Sequence, residues 1–396
     1  MRSLEGAVTL HSAVVSDSPR FQYRGFMIDT SRHFYPLRVL YQHIDAMSYA
    51  KFNVLHWHIV DDTSFPYESS TFPEMAQQGA FSPRHTYSHK DIADVQRYAR
   101  FCGIRVIPEF DVPGHVTNGY LALKPQIVTT CYDVPRYPTG PLNPTINATY
   151  EFLDKFYDEL KTVWDDKYFH IGGDEVVKRC WMSNPQIKQW MTEHPEIADY
   201  HELQNYFTRK LLAMLKQKEL QYICWQEVFD SGADLLPDTL VEVWIPEKWQ
   251  ETMERVTAKG YKTVLAGPYY LNLISYGLDW HNYWRAEPTN YTGGVEAEKH
   301  GLIAGVEVAM WSEYVDATNF VARSWPRAAA VGERGWSPKN VTDIEDASRR
   351  LHEFRCKLLK RNINAQPITN GANQTSPVLF KHHCEEEWEP HYDPVF

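Results

Sequence analysis

The chain has 396 residues and a net charge of −11, enough length for one large core; a closed α/β barrel can use about 250 residues as a single domain. The acidic balance and the lack of any Lys/Arg cluster argue against a nucleic-acid footprint, and no uninterrupted apolar stretch reaches membrane-spanning length. The aromatic share is 14%, with 13 Trp; such rings suit the apolar faces of sugars, although an aromatic-rich core accounts for most of them.

In chain order, Met1-Arg2-Ser3-Leu4-Glu5-Gly6 has neither the apolar core nor the cleavage site of a signal peptide. This start suggests a processed or truncated form, and residues 1–20 read as a remnant or linker. Eight short apolar runs follow: Phe26-Met27-Ile28, Asn53 to Val60, Arg105 to Phe110, Tyr168 to Gly172, Tyr222 to Gln226, Leu240 to Ile245, Thr263 to Ala266, and Ile303 to Met310. The segments between them carry helical periodicity, as in Leu37, Leu40, Tyr41, Ile44 and Met47, or Ile92, Val95, Ala99 and Cys102. Repeated βα units of this number predict a (β/α)8 TIM barrel over residues 21–396, with an open doubly wound sheet as the alternative. Residues 268–299 show little helical pattern and read as a long loop over one barrel end. Thr318 to Val331 and Asp343 to Lys360 read as helices, the latter a C-terminal extension, and the tail from Arg361 as irregular.

In Phe169-His170-Ile171-Gly172-Gly173-Asp174-Glu175 an apolar run ends in two glycines and two adjacent acids. Glycines let backbone approach a ligand, and crowding should hold the second carboxyl's proton to higher pH while the first stays charged. A plain strand-to-helix turn with Asp174 as N-cap fits the same residues. In a barrel, useful side chains sit at the C-terminal strand ends. Those ends offer Arg24 and Asp29, Asp61 and Asp62, Glu109, Asp111 and His115, then Asp174 and Glu175. The later ends offer Trp225 and Glu227, Trp244, Tyr269 and Tyr270, and Trp311 and Glu313.

His56-Trp57-His58 has the His-x-His spacing of zinc-binding barrel strands, but no further ligand pattern follows, so core histidines with hydrogen-bond partners are preferred. His115 follows a Pro-Gly turn and suits either a proton network with a carboxylate or a structural role. Rings from four strands, Trp225, Trp244, Tyr270 and Trp311, share one predicted end and suit a pocket wall. Six cysteines fit either redox compartment. Cys131 and Cys180 bracket the acidic pair, Cys356 and Cys384 lie near the C-terminus, and Cys102 and Cys224 read as buried thiols. Asn147, Asn290, Asn340 and Asn373 open N-x-Ser/Thr acceptors for glycans, a weak sign of a secretory route.

The runs from Arg24 to Arg32, His56 to Asp62, Pro108 to His115, His170 to Glu175, Trp225 to Phe229 and Trp311 to Asp316 closely resemble the β-N-acetylhexosaminidases of glycoside hydrolase family 20. The likeness spans roughly residues 20–385 and is closest to the animal lysosomal enzymes. It implies a barrel that removes terminal β-linked GlcNAc or GalNAc from non-reducing ends with retention of configuration, the substrate's own acetamido oxygen acting as nucleophile. Carried over, Glu175 is the general acid and base, Asp174 the partner of the acetamido N–H, and Tyr270 the donor to the acetamido oxygen. Trp225, Trp244 and Trp311 enclose the sugar, Arg24, Asn272 and Glu313 bind it, and Asp61, Asp111 and His115 support Glu175, with Asp61 and His115 also bordering substrate. The resemblance further implies disulfides Cys131–Cys180 and Cys356–Cys384, no metal or cofactor, a homodimer, and a lysosomal or secreted location. The chain departs from the pattern where a small N-terminal α/β domain is expected, and at Leu273, uncharged where a basic residue would help bind anionic substrates. A catalytically impaired carbohydrate-binding relative is the runner-up. A zinc amidohydrolase built on His56 and His58 is the third reading.

Overall fold

The computed structural model describes residues 2–4, 7–9, 12–123, 125–132, 134, 138–273, 275, 277–368 and 384. Eight parallel strands close into a barrel: β1 (Tyr23–Asp29), β2 (Val54–His58), β3 (Arg105–Glu109), β4 (Tyr168–His170), β5 (Gln221–Trp225), β6 (Leu240–Val243), β7 (Lys262–Leu265) and β8 (Ile303–Met310). Each pairs in parallel with its neighbour in sequence order, with a register shift at Thr263/Val264 between β7 and β8, and β8 closes on β1 through partners such as Val308 and Phe26. All eight predicted runs are strands, and closure rules out the open sheet.

Helices α1 (Leu37–Tyr49), α2 (His89–Phe101), α3 (Asn147–Val163), α4 (Tyr200–Gln217), α5 (Gln226–Asp230), α6 (Trp249–Ala258), α7 (Gly294–Lys299) and α8 (Arg327–Trp336) follow the successive strands. Helix α9 (Ile344–Leu359) is the expected C-terminal extension. The helix starts are chemically marked: Ser88 and Asp91 form a reciprocal capping box on α2, and the Asp199 and Asp343 carboxylates accept backbone N–H groups at the starts of α4 and α9.

Alternation along the strands divides the core. Outward side chains such as Phe26, Ile28, Leu55, Trp57, Phe169, Val241 and Val308 join the large cluster under the helices. Inward side chains form layers: an apolar floor of Tyr23, Val54, Ile107, Ile223, Leu240 and Val264, a polar belt, and a ceiling of Met27, Ala266, Tyr270 and Ala309 flanked by Trp244 and Trp311. The ceiling lies at the C-terminal strand ends.

Three expectations need correction. Residues 268–299 are not simply a loop over a barrel end: Trp280–Arg285 and α7 are helical, and Trp280 and Trp284 are buried in the outer cluster, where the short helix packs on α8. The predicted helix 318–331 is broken by Pro326 into Phe320–Ser324 and α8. Cys224 is buried, but Cys102 is only half-buried. Within residues 1–20, Arg2–Leu4 and Ala7–Thr9 form an antiparallel pair, and the Arg20 guanidinium reaches Glu287 and Glu298 at 2.7 and 2.6 Å. Residues 361–368 are irregular, as expected, and the tail beyond them, apart from Cys384, lies outside the described residues. Among the described residues no helix is long and apolar enough to cross a membrane.

Candidate active site

The acidic pair owes its geometry to the two glycines. Gly172 and Gly173 turn through φ values of +63° and +96°, the left-handed region open to glycine. A Cβ on Gly172 would stand 1.8 Å from Asp111 Oδ1. The backbone thus passes directly over Asp111, and the Gly173 N–H donates to Asp111 Oδ1 at 2.7 Å. The turn delivers Asp174 into the pocket, 7% exposed, and Glu175 to its rim at φ +47°. The plain N-cap alternative does not hold, because α4 is capped by Asp199 and the next helix, Lys178–Ser183, has Val177 before it.

His115 is the junction. Its Nδ1 lies 3.1 Å from Asp61 Oδ1, while its Nε2 points among three carboxyl groups, 3.7 Å from Asp174, 3.7 Å from Glu175 and 3.9 Å from Asp111. Burial works against charge on this ring, but the Asp61 and Asp174 carboxylates outweigh it and hold the ring protonated well above the usual histidine range. For Asp61 burial likewise favours the neutral acid, yet His115 and Arg32 pull it below the usual carboxylate range. Asp111 moves the other way: burial, then repulsion from Asp174, keeps it protonated. Its hydroxyl can therefore donate to the neighbouring Asp174 carboxyl.

The Glu175 side chain is 61% exposed. Carboxyl groups raised by their surroundings include Asp111 and Glu227 near it, and Glu242 deeper in the barrel. Burial, then Asp174, pushes Glu227 up to about 8. Its Oε2 accepts the Trp244 indole N–H at 2.8 Å.

The ring set converges as expected. Trp244 and Tyr270 stack 6.0 Å apart, Trp225 lies 6.4 Å from Trp244 and 6.2 Å from Trp311, and Tyr270 bridges backbone to Ala309 of β8. Asn272 follows Tyr270 with its buried Oδ1 unpaired, and Glu313 is exposed just past β8.

Arg24 is misplaced in the sequence reading. It lies near the N-terminal start of β1, stacks on Trp336 at 5.1 Å, and donates to the carbonyls of Lys51 and Phe21 at 2.7 and 2.6 Å. The cation at the site is Arg32. It stands 2.9 Å from Asp61 Oδ2 and 3.3 Å from Asp29 Oδ2, and its guanidinium lies 4.8 Å from the Trp311 ring centroid. The strand-end rule favours it, since Arg32 follows the C-terminal end of β1 by three residues.

His56 and His58 face the lumen with carboxylate partners: His56 contacts Glu307 and Glu109 at 2.6 and 2.8 Å, and His58 contacts Asp61 and Glu109 at 2.7 Å each. Both implied disulfides are formed, Cys131–Cys180 and Cys356–Cys384. Asn147, Asn290 and Asn340 are exposed, and Asn373 lies outside the described residues. A cavity of about 380 Å³ lies elsewhere, between the ends of α1, α8 and α9, lined by Tyr49, Trp284, Trp336 and Phe354 among others. It touches none of the carboxylates above, so the chemistry is assigned to the strand ends.

Comparison with known proteins agrees with this geometry. Residues 21–339 match glycosyl hydrolase family 20, catalytic domain. The chain is 46% identical over 368 residues to beta-hexosaminidase subunit beta of Mus musculus, covering 92% of this chain and 68% of that protein. It is 43% identical over 394 residues to subunit alpha of Rattus norvegicus, covering 98% and 72%. The solved Flavobacterium johnsoniae chitobiase superposes with a TM-score of 0.78 at 33% identity, covering 87% of this chain but only 52% of that one. The chain therefore spans about two thirds of these curated relatives and about half of the chitobiase, and it belongs to glycosyl hydrolase family 20, in the hexosaminidase class.

Proposed function

We propose that the chain is an exo-acting, retaining β-N-acetylhexosaminidase that removes terminal non-reducing β-GlcNAc or β-GalNAc from glycoconjugates. The observation that carries this reading is that Asp174 and Glu175 both approach one nitrogen of His115 at 3.7 Å. The two carboxyl groups therefore belong to one cluster around a shared histidine. In glycosyl hydrolase family 20 the carboxylate nucleophile of a double displacement is replaced by the substrate's own acetamido oxygen, and two adjacent acids that need not flank the anomeric carbon suit that route.

In this mechanism Glu175 gives its proton to the glycosidic oxygen as the C1–O bond breaks and the acetamido oxygen bonds to C1. Asp174 accepts the acetamido N–H and offsets the positive charge of the oxazolinium ion, with the protonated Asp111 beside it. Tyr270 donates to the acetamido oxygen. Trp225, Trp244 and Trp311 enclose the ring and methyl group. Water then attacks C1 as the bond from C1 to the acetamido oxygen breaks, and Glu175 takes the water's proton, which restores both the acetamido group and the acid with retention of configuration. Arg32, in place of Arg24, binds sugar hydroxyls with Asn272 and Glu313, and Asp61 with His115 orients Glu175 at the edge of the substrate. Leu273, 55% exposed three residues past Tyr270, favours neutral substrates. The catalytic unit on this reading is residues 21–396, acting as a homodimer in a lysosomal or secreted setting, with glycans on Asn147, Asn290, Asn340 and Asn373.

The test is release of 4-methylumbelliferone from its β-GlcNAc and β-GalNAc glycosides, with and without a thiazoline mimic of the oxazolinium ion. Turnover blocked by the mimic is the expected result. A folded sample that binds the mimic without turning over either glycoside would overturn the enzyme reading in favour of a carbohydrate-binding relative.

A further inference from the structure

Branched aliphatic side chains are the usual filling of such a barrel. Here the layer between floor and ceiling consists of His56, His58, Glu109, His170, Glu242 and Glu307, none more than 1% exposed. Space is made for it: a Cβ on Gly25 would stand 2.2 Å from Glu307 Oε2, and that oxygen accepts the Tyr23 hydroxyl at 2.5 Å. Burying this many ionisable groups is costly unless each is paired.

Glu109 is the hub. Its Oε2 lies 2.8 Å from His56 Nε2 and 2.7 Å from His58 Nδ1, and its Oε1 accepts the Trp225 indole N–H at 2.8 Å. From His58 a path of contacts climbs to the pocket: His58 Nε2 to Asp61 at 2.7 Å, Asp61 to His115 Nδ1 at 3.1 Å, and His115 Nε2 to Glu175 at 3.7 Å. A ring with a carboxylate on each nitrogen carries both protons.

We propose that Glu109, a layer below the pocket, is a positioning residue for the glycosidase reaction, acting on Glu175 through His58, Asp61 and His115, and on the sugar-binding wall through Trp225. This rests on the function proposed above. Burial by itself would discharge His58, but Glu109 and then Asp61 raise it to about 9, so the ring stays charged through the acid and neutral range. The groups facing Glu109 are His56 and His58 from β2, His170 from β4, Glu242 from β6, Glu307 from β8, and Asp111 beyond β3. Arg32 shares Asp61 with His58. Burial lowers His170, and burial with repulsion from Glu307 keeps a proton on Glu242.

Glu109→Gln tests the proposal with little change of shape. The Gln oxygen can still accept from Trp225, and its amide can donate to His58 Nδ1 once that ring is neutral. The charge lost nearest the pocket is then positive. The basic limb of kcat/KM against pH, which reports the donor proton, should move to higher pH by roughly half a unit or more, the scale expected for one unit charge at this remove. The Glu242→Gln variant replaces a carboxyl that already holds its proton and should leave both limbs in place. Measured on the full chain with the umbelliferyl glycoside, unchanged limbs in Glu109→Gln, or an equal shift in both variants, would overturn the proposal. His58→Gln breaks the path one contact further on. Should Glu109→Gln not fold, His58→Gln must shift the same limb upward, and a wild-type profile would overturn the proposal. If the wild-type protein shows no turnover, the proposed function fails, and Glu109 is judged separately by the ring 15N signals of His58. These should stay doubly protonated from pH 5 to 8 in the wild type and titrate within that range in Glu109→Gln; identical titrations would overturn it.

Discussion

Gly172→Ala should separate the geometry of the acidic turn from its chemistry. At φ +63° an alanine sits in the left-handed region, a cost of about 1 kcal/mol. Its Cβ would fall 1.8 Å from Asp111 Oδ1 and 2.0 Å from Cγ. Asp111 is 1% exposed and has no solvent to swing into, so it must give up the Gly173 N–H it accepts at 2.7 Å. A buried donor left unpaired costs about 1–3 kcal/mol more. The expected loss is about 2–4 kcal/mol, a large share of a typical domain's stability. Because Asp111 supports Asp174, kcat should fall as well. The comparison is Gly103→Ala, at φ +76° with nothing within 4 Å of the added Cβ. It incurs only the backbone cost. Thermal unfolding by circular dichroism, with the disulfides kept oxidised, and kcat on the umbelliferyl glycoside would be read for both. Equal midpoints for the two variants, or wild-type kcat in Gly172→Ala, would refute the claim that close passage over Asp111 shapes the site.

Glu175→Gln should lower turnover by about a hundred- to ten-thousandfold while leaving thiazoline binding intact; near-normal kcat would remove Glu175 as the acid. Arg32→Lys should raise KM about tenfold, since an ammonium cannot reproduce the guanidinium fork shared by Asp29 and Asp61, whereas Arg24→Lys should leave KM near wild type, and the reverse order would restore Arg24 to the site. Glu227 is raised from 4.5 to about 8 in the folded protein, so its contribution to stability is fully present below 4.5 and lost as pH rises through about 8. Thermal midpoints measured across that window should fall less steeply in Glu227→Gln, and parallel curves would count against the burial of a protonated Glu227.

What was legible in the sequence was local. Each barrel strand and the marked helices announce themselves by alternation or helical period over a few residues, because a segment must present one apolar face to bury. The strand-end rule then gathers Asp61, Asp111, His115, Asp174, Glu175 and the four rings from that pattern alone. The failures share a cause. Arg24 lies at the start of β1 and Arg32 just past its end, and only the extent of the strand decides which of them stands at the pocket. Trp280 and Trp284 lie in a stretch without clear periodicity and are buried by packing against α8, not by their own helix. His56 and His58 read as paired core histidines, but their partners Glu109 and Glu307 come from other strands, up to 251 residues away. Protonation was beyond the sequence as well: Asp111, Glu227 and Glu242 are held protonated by burial and by a neighbouring carboxyl group brought in from another strand. The sequence by itself determined which segments become strands and which chemistry their ends carry; closure of the barrel decided which charges meet, since pairing energies and desolvation depend on distances and burial that exist only once β8 has joined β1.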